Sequence, residues 1–394
     1  MGSRKVVLSG VLFTMFSLFS SFKFTSLSIW WYLSDICLFV IFLAWIIKVS
    51  QNPVISKSSF HMIYLFLYFL GITVMISYSF HPMYLKSFRY LYVYSIFFFS
   101  FIICKELGFN ELGWFILWGD ILTLIILRSW LSGTNTWVYR YGEMEILRRE
   151  IITGFGQTNT LCYPLIFVIF LELLLLKHKI YGRFISLLVY LSIFIQTVGI
   201  FLIESRMGII LLFIIYISFL LGYRHFKFSN FLIIIPIVLI IVVIVTNLFK
   251  ELILANLYRL YLSLPTELTG YKFSRLDLWK YAITIIKNNL FFGIGFGNIG
   301  VPIGIWDRDI QAHNIFLDVF SGIGIIGGIP YLLLLLLLLK EFWEYVCKFR
   351  EILLLSFLIF LSYMIEPIYG SHHFSIFLGV YLASLLNFYK TLRI

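Results

Sequence analysis

The chain has 394 residues, 61% of them hydrophobic and only 12% charged, with a mean hydropathy of +0.98. A soluble domain carries about 25% charged residues and interrupts its apolar runs after about 12, so this composition excludes a water-soluble globule and makes the bilayer the solvent. The net charge of +11 is therefore read as topology and ligand chemistry, and no feature points to nucleic acid. The four cysteines, Cys37, Cys104, Cys162 and Cys347, are far apart, with no CxxC pair and no histidine at metal spacing, which argues against a disulfide framework or a structural zinc.

In chain order, apolar stretches of about 17 residues or more predict roughly twelve transmembrane helices. They are 6–22, 27–47, 60–79, 88–104, 113–129, 160–176, 184–203, 207–223, 230–249, 313–339, 351–369 and 373–389. The expected fold is an all-α polytopic membrane protein, residues 1–394 forming a single integral membrane domain. The first stretch follows Arg4 and Lys5 as a signal sequence does, but no small-residue cleavage site precedes Lys23, so an uncleaved span is expected.

With the N-terminus inside, fifteen Lys and Arg lie on the cytoplasmic side and eight in the short connections opposite, seven more falling in the long 250–312 connection. Long loops translocate largely regardless of charge, so both termini are predicted to be cytoplasmic. The cations also differ in kind: ten Lys and five Arg inside, six Lys and nine Arg outside. A guanidinium grips phosphate oxygens with two parallel hydrogen bonds and keeps its charge, so arginine enrichment outside points to an anionic ligand there, lipid headgroups being the alternative.

Two exterior loops stand out. The first, 130–159, holds Arg140, Arg148 and Arg149 and then GFGQTN at 154–159. The second, 250–312, is too long for a linker and should cap the membrane face with amphipathic helices. Within it, Ser274 and Asp277 suggest a capping box, and Leu276, Trp279, Ile283 and Ile286 recur at helical spacing among Arg275, Lys280 and Lys287, the pattern of an interfacial helix. Asn288, Asn289 and GIGFGN at 293–298 should end it.

The segment 295–300 fits GxGxxG, but it follows a helix and not a strand, so it is read as close-approach backbone and not as a dinucleotide site. Gly324 and Gly328 have the GxxxG spacing of a close helix contact. Among the seven histidines, His313 stands apart: it opens a span in AHNIFLD directly after the arginine-rich cap, where an imidazole reaches both water and a lipid-linked substrate. Arg206 sits in ESRMG, a very short turn between spans, where a cation is costly unless paired with Glu204 or used. Asp35, Asp120, Glu172, Asp318 and Glu366 lie near or within spans and are assigned only pairing or cavity lining.

Three blocks in one order resemble the O-antigen polymerase and ligase superfamily: ESRMG at 204–208, SRLDLWKYAITIIKNNLFFGIGFGN at 274–298 and HNIFLDVFSGIGIIGG at 313–328. GFGQTN is similar to a Gly- and Asn-bearing segment of that family, with Thr158 where a Pro is common. The resemblance implies a helical glycosyltransferase of the C type acting on a glycan carried by undecaprenyl pyrophosphate at the outer face of the bacterial cytoplasmic membrane. It implies His313, Arg275 and Arg206 as catalytic residues, and Arg149, Asn159, Trp279, Asn298 and Asn314 as substrate contacts; Asn314 is also expected to cap the helix it opens. Arg206 and Arg275 would hold the pyrophosphate while His313 takes the acceptor proton. No metal or other cofactor is expected, and direct displacement would invert the anomeric centre. Implied partners are membrane lipids, a chain-length regulator and a flippase. A repeat-unit polymerase for O-antigen or capsule is favoured over an O-antigen ligase that transfers to a lipid A core. A transporter is opposed by the lack of a half-to-half repeat and by the unequal exterior loops.

Overall fold

A computed structural model describes residues 23–26, 29–51, 55–79, 84–109, 112–132, 136–141, 144–149, 161–203, 205–222, 275–296, 312, 314–346, 349–365 and 372–392. They form eleven helices: α1 (Leu33–Gln51), α2 (Lys57–Ser79), α3 (Tyr84–Leu107), α4 (Gly113–Ser132), α5 (Cys162–Lys177), α6 (Arg183–Leu202), α7 (Arg206–Gly222), α8 (Arg275–Asn288), α9 (Ile315–Val346), α10 (Arg350–Ile365) and α11 (His372–Leu392). All but α8 coincide with predicted apolar stretches. The stretches 6–22 and 230–249, with most of the 250–312 loop, lie outside the described residues. Four helical segments, Lys57–Ile76, Gly113–Ser132, Arg183–Leu202 and Ile315–Val346, are long and apolar enough to cross a membrane, and Leu38–Gln51, Met207–Phe219 and Glu351–Phe360 are shorter apolar helices.

Two short antiparallel hairpins accompany the helices: β1 (Lys23–Ser26) with β2 (Ile29–Tyr32), and β3 (Thr136–Tyr141) with β4 (Met144–Arg149). Hydrophobicity alone did not reveal them. The predicted span 27–47 thus opens on a strand, and its helix begins only at Leu33. In the 130–159 loop, TWVYRY is rich in β-branched and aromatic residues, and two residues separate Tyr141 from its partner Met144, a length suited to a tight turn.

What faces outward is apolar. Along α6, Phe184, Leu187, Leu191, Phe194 and Val198 are exposed at alternating spacings of three and four, a stripe that would be untenable in water and suits acyl chains. Helix α5 is buried on every side and forms the centre of one half of the bundle, touching α4, α6 and α7. Helices α3 and α11 form the most extensive contact, and a Cβ at Gly379 would sit 2.6 Å from the Phe97 carbonyl oxygen, so the small residue sets their closeness. Tyr381 donates its hydroxyl hydrogen to the Phe167 carbonyl at 2.9 Å, joining α11 to α5.

One end of the bundle gathers charge. Lys105 pairs with Glu341 at 2.8 Å, Lys177 pairs with Glu351, Lys48 donates to the Glu106 carbonyl, and Ser56 donates to the Glu106 carboxylate at 2.8 Å. These contacts place the ends of α1, α3, α5, α9 and the starts of α2 and α10 at the same level, so successive membrane helices run in alternating directions. His178 lies at this end against Phe349; burial lowers its pKa, with Glu351 opposing and Lys177 adding to the shift. The starts of α5, α7 and α9 fall at the other end.

Candidate functional site

Helix α8 is amphipathic, but its buried face is not the one the sequence pattern marks: Ile283 is exposed, and Ala282 and Ile285 turn inward beside Trp279. Ala282 and Ile285 are buried with Ala312, and Trp279, Tyr281, Ile294 and Leu317 pack around them, while Lys280 and Ile283 are exposed. At its end the Asn289 side-chain amide donates to the Ile285 carbonyl at 3.2 Å, and the chain bends through Gly293 and Gly295, whose φ angles are 66° and 82°. Such positive values favour glycine.

This bend repairs a broken helix. Gly324 has φ 61° and ψ −163°, so α9 loses its regular bonding there. The i to i−4 pattern lost across the break is Ile325 to Ser321 and Ile326 to Gly322. All four groups find partners in the bend: Ile294 N–H donates to the Ser321 carbonyl at 2.9 Å and Gly295 N–H to the Gly322 carbonyl at 2.7 Å. In return, Ile325 N–H donates to the Leu290 carbonyl at 2.9 Å and Ile326 N–H to the Phe291 carbonyl at 3.2 Å. A buried peptide group without a partner is costly, so non-helical backbone at membrane depth persists only when satisfied this way.

Glycine is required on both sides of the contact. On the α9 side a Cβ at Gly324 would collide with the Phe291 carbonyl, and one at Gly322 would lie 2.8 Å from the Phe296 ring; on the bend side a Cβ at Gly293 would lie 2.6 Å from the Ser321 and Gly322 carbonyl oxygens. The Phe296 ring in turn stacks on Tyr94 at 4.8 Å, and Tyr331 meets Tyr94, Phe98 and Phe69 edge-on or tilted. The GxxxG spacing of Gly324 and Gly328 therefore does not mark a contact with another helix. Gly324 is the break, and a Cβ on Gly328 would sit 2.6 Å from Phe320 on the first half of the same helix.

The start of α9 is held from three directions. Asn314 Oδ1 accepts from Phe316 N–H at 3.0 Å and Leu317 N–H at 3.2 Å, the geometry of an N-cap. Asp318 Oδ1 accepts from Ala312 N–H at 2.8 Å, and the Trp279 indole donates to the Ala312 carbonyl at 2.8 Å. Both chain neighbours of residue 313 are thus fixed, one by α8 and the first turn of α9, the other as the cap; His313 itself lies outside the described residues. Asp318 was not foreseen in this role. Its only sequence signal was an acid in a first helical turn, where the helix dipole favours it.

Arg206 is the first residue of α7, although its side chain is not among those described. Ser205 before it is buried, and its Oγ accepts from Gly208 N–H at 3.3 Å and from the Cys162 thiol at 3.3 Å. A Cβ at Gly208 would stand 2.8 Å from the Cys162 Cβ, so this glycine lets the first turn of α5 pack against the first turn of α7. The ESRMG block therefore abuts the helix that follows GFGQTN. Whether Glu204 pairs with Arg206 lies outside the described residues, as do Asn159 and Asn298. Arg149 ends β4 opposite Thr136, and Arg275 opens α8, their side chains likewise not described.

The structure thus joins the blocks in two pairs, 204–208 with the start of α5 and 274–298 with 312–328. Helix α10 touches α5, α7 and α9, and Phe360 near its far end meets Phe316 in the first turn of α9, so it stands between the pairs. A family model described as O-antigen ligase matches residues 191–332. The match covers less than half of the chain, and that stretch is similar to the O-antigen ligase family. The matched segment runs from α6 through α9 and includes ESRMG, α8, the glycine bend and the broken helix. No curated protein matches the chain.

Proposed function

We propose that this protein is a glycosyltransferase that joins undecaprenyl-pyrophosphate-linked oligosaccharide repeat units into a surface polysaccharide at the outer face of the bacterial cytoplasmic membrane. The observation that carries the reading is the family match over 191–332, which spans all three sequence blocks. The packing of those blocks at one end of the bundle, away from the paired lysines, supports it.

In the proposed reaction His313 accepts the proton of the attacking sugar hydroxyl as the bond from the anomeric carbon to the pyrophosphate breaks. Arg206 and Arg275, each at a helix start whose partial positive charge favours anions, hold the departing pyrophosphate. This charge stabilisation calls for no metal, and direct displacement inverts the anomeric configuration. Trp279 and Asn314 act by fixing the segment on either side of residue 313, and Arg149, Asn159 and Asn298 contact the glycan or its phosphates. The same residues suit a ligase whose acceptor is a lipid A core; the acceptor, not the chemistry at the donor, separates the two.

Sizing the surface glycan of a deletion strain tests the assignment. A polymerase leaves single repeat units attached, whereas long chains stranded on the lipid carrier identify a ligase. Transfer assayed in membranes, normalised for protein amount, tests the mechanism. General-base catalysis contributes about 10² to 10⁴-fold, so His313→Ala should retain under about a hundredth of the wild-type rate, and a tenth or more would remove His313 from the mechanism. Arg275→Lys should lose roughly tenfold or more if a two-pronged phosphate contact of about 1.5 to 3 kcal/mol is replaced by a point charge.

A further inference from the structure

Two carboxyl groups meet inside the bundle, remote from the glycine bend. Glu172 projects from α5, Asp120 from α4, and Ser192 and Gln196 from successive turns of α6 come between them. Ser192 Oγ lies 2.6 Å from Asp120 Oδ1, bonds to Glu172 Oε1, and accepts from Gln196 Nε2 at 3.0 Å. The Gln196 amide is also 3.1 Å from Asp120 Oδ1 and 3.3 Å from Glu172 Oε1. Space for it is made by Gly119, where a Cβ would lie 2.9 Å from Gln196 Nε2.

The hydrogens can be counted. A serine hydroxyl has one hydrogen to give and lone pairs to receive with. Here it touches two carboxyl oxygens, and its single hydrogen serves only one of them. The other contact needs a hydrogen from the carboxyl itself. Among the described residues neither acid has a cationic partner, and two unpaired negative charges this close in hydrocarbon are prohibitive.

Which acid carries the hydrogen follows from burial. Glu172 is fully buried and its Oε2 has no partner, whereas Asp120 is only partly buried and its Oδ1 receives bonds from both Ser192 and Gln196. The Gln196 Oε1 is also buried without a donor, so every unsatisfied atom of the cluster is an acceptor. We infer that Glu172, Ser192 and Asp120 form a proton-binding site within the membrane-embedded bundle, in which Glu172 is the neutral acid, Ser192 relays its hydrogen bond and Asp120 carries the charge.

Among the described residues, the groups facing this site from neighbouring elements are neutral. Tyr216 of α7 bonds to Thr197, one residue beyond Gln196, Tyr381 of α11 is bonded to the Phe167 carbonyl, and Tyr181 lies in the turn before α6. The nearest ion pair on α5 itself, Lys177 with Glu351, is more than a turn away at the charged end. Among the described residues no cation is paired with either acid, and the proton is the ligand of the site.

Infrared difference spectroscopy on the full-length protein in lipid nanodiscs at neutral pH, in sodium-free buffer, reads this directly. The wild type should show a protonated-carboxyl carbonyl band that shifts in D2O. It should be absent from Glu172→Gln, retained in Asp120→Asn, and moved to higher frequency in Ser192→Ala, which keeps the acid but removes its acceptor. No such band in the wild type, or one that survives in Glu172→Gln, would overturn the assignment. Loss of the wild-type band on adding sodium would overturn it in favour of a metal-cation site. Ser192→Ala serves as the deciding variant if Glu172→Gln does not fold.

Discussion

Helices α7 and α9 both begin with a side-chain cap at the same end of the bundle, Ser205 in one and Asn314 in the other, yet what stands behind each cap differs. At α7 it is shape: Gly208 lets the first turn of α5 press against it through Cys162. At α9 it is hydrogen bonding, from Asp318 and from Trp279 of a separate helix, onto the two polar groups of Ala312. A start fixed by shape tolerates changes of polarity but not of volume, and a start fixed by polar contacts tolerates the reverse. The pattern suits the proposed division of labour, in which Arg206 needs only a rigid perch and residue 313 needs its backbone oriented.

The largest effect should come from violating shape at α7. Gly208→Leu puts a whole side chain where a Cβ alone would stand 2.8 Å from Cys162, and overpacking of this kind costs about 1 to 3 kcal/mol or more. A sharp fall in folded yield and melting temperature in detergent is expected, with partial recovery in the double variant that adds Cys162→Gly. No recovery would mean that the glycine matters for something other than this contact.

Next comes polarity at α9. Asp318→Ala leaves the buried Ala312 N–H without an acceptor, a loss of about 1 to 3 kcal/mol, whereas Asp318→Asn keeps an oxygen at the same position and should cost markedly less. Equal melting temperatures for the two variants would break the comparison. Trp279→Phe removes one hydrogen bond, worth about 0.5 to 1.5 kcal/mol, while keeping most of the ring's contacts. Its transfer rate should fall by more than its stability does, because the segment before residue 313 loses a guide; an unchanged rate would reduce Trp279 to packing.

The helices were legible because apolar runs of about 17 residues or more stand out from soluble sequence, a one-dimensional property of the chain. Side-chain caps were legible where a polar residue stood at a helix start, as with Asn314, but Ser205 was overshadowed by its arginine neighbour. The break at Gly324 was not, because GxxxG reads the same whether two helices touch or one helix opens, and only the partner segment 290–296 decides. The acid cluster was beyond reach for another reason. Asp120 and Glu172 are visible as costly residues, but their meeting at Ser192 depends on how three helices rotate about their axes. The hairpins were lost to a hydrophobicity count that is blind to alternation.

The break in α9 also bears on how the chain is made. Residues 290–296 leave the ribosome before Ser321 and Gly322, so the amides of Ile294 and Gly295 emerge with no acceptor yet synthesised. Until α9 follows, the bend has reason to stay hydrated. The later helix, inserting with its own ladder interrupted, supplies the missing oxygens and takes up the waiting ones. Neither segment is fit for lipid alone, and assembly of this end of the protein is a pairing event between a waiting strand of backbone and the helix that arrives after it.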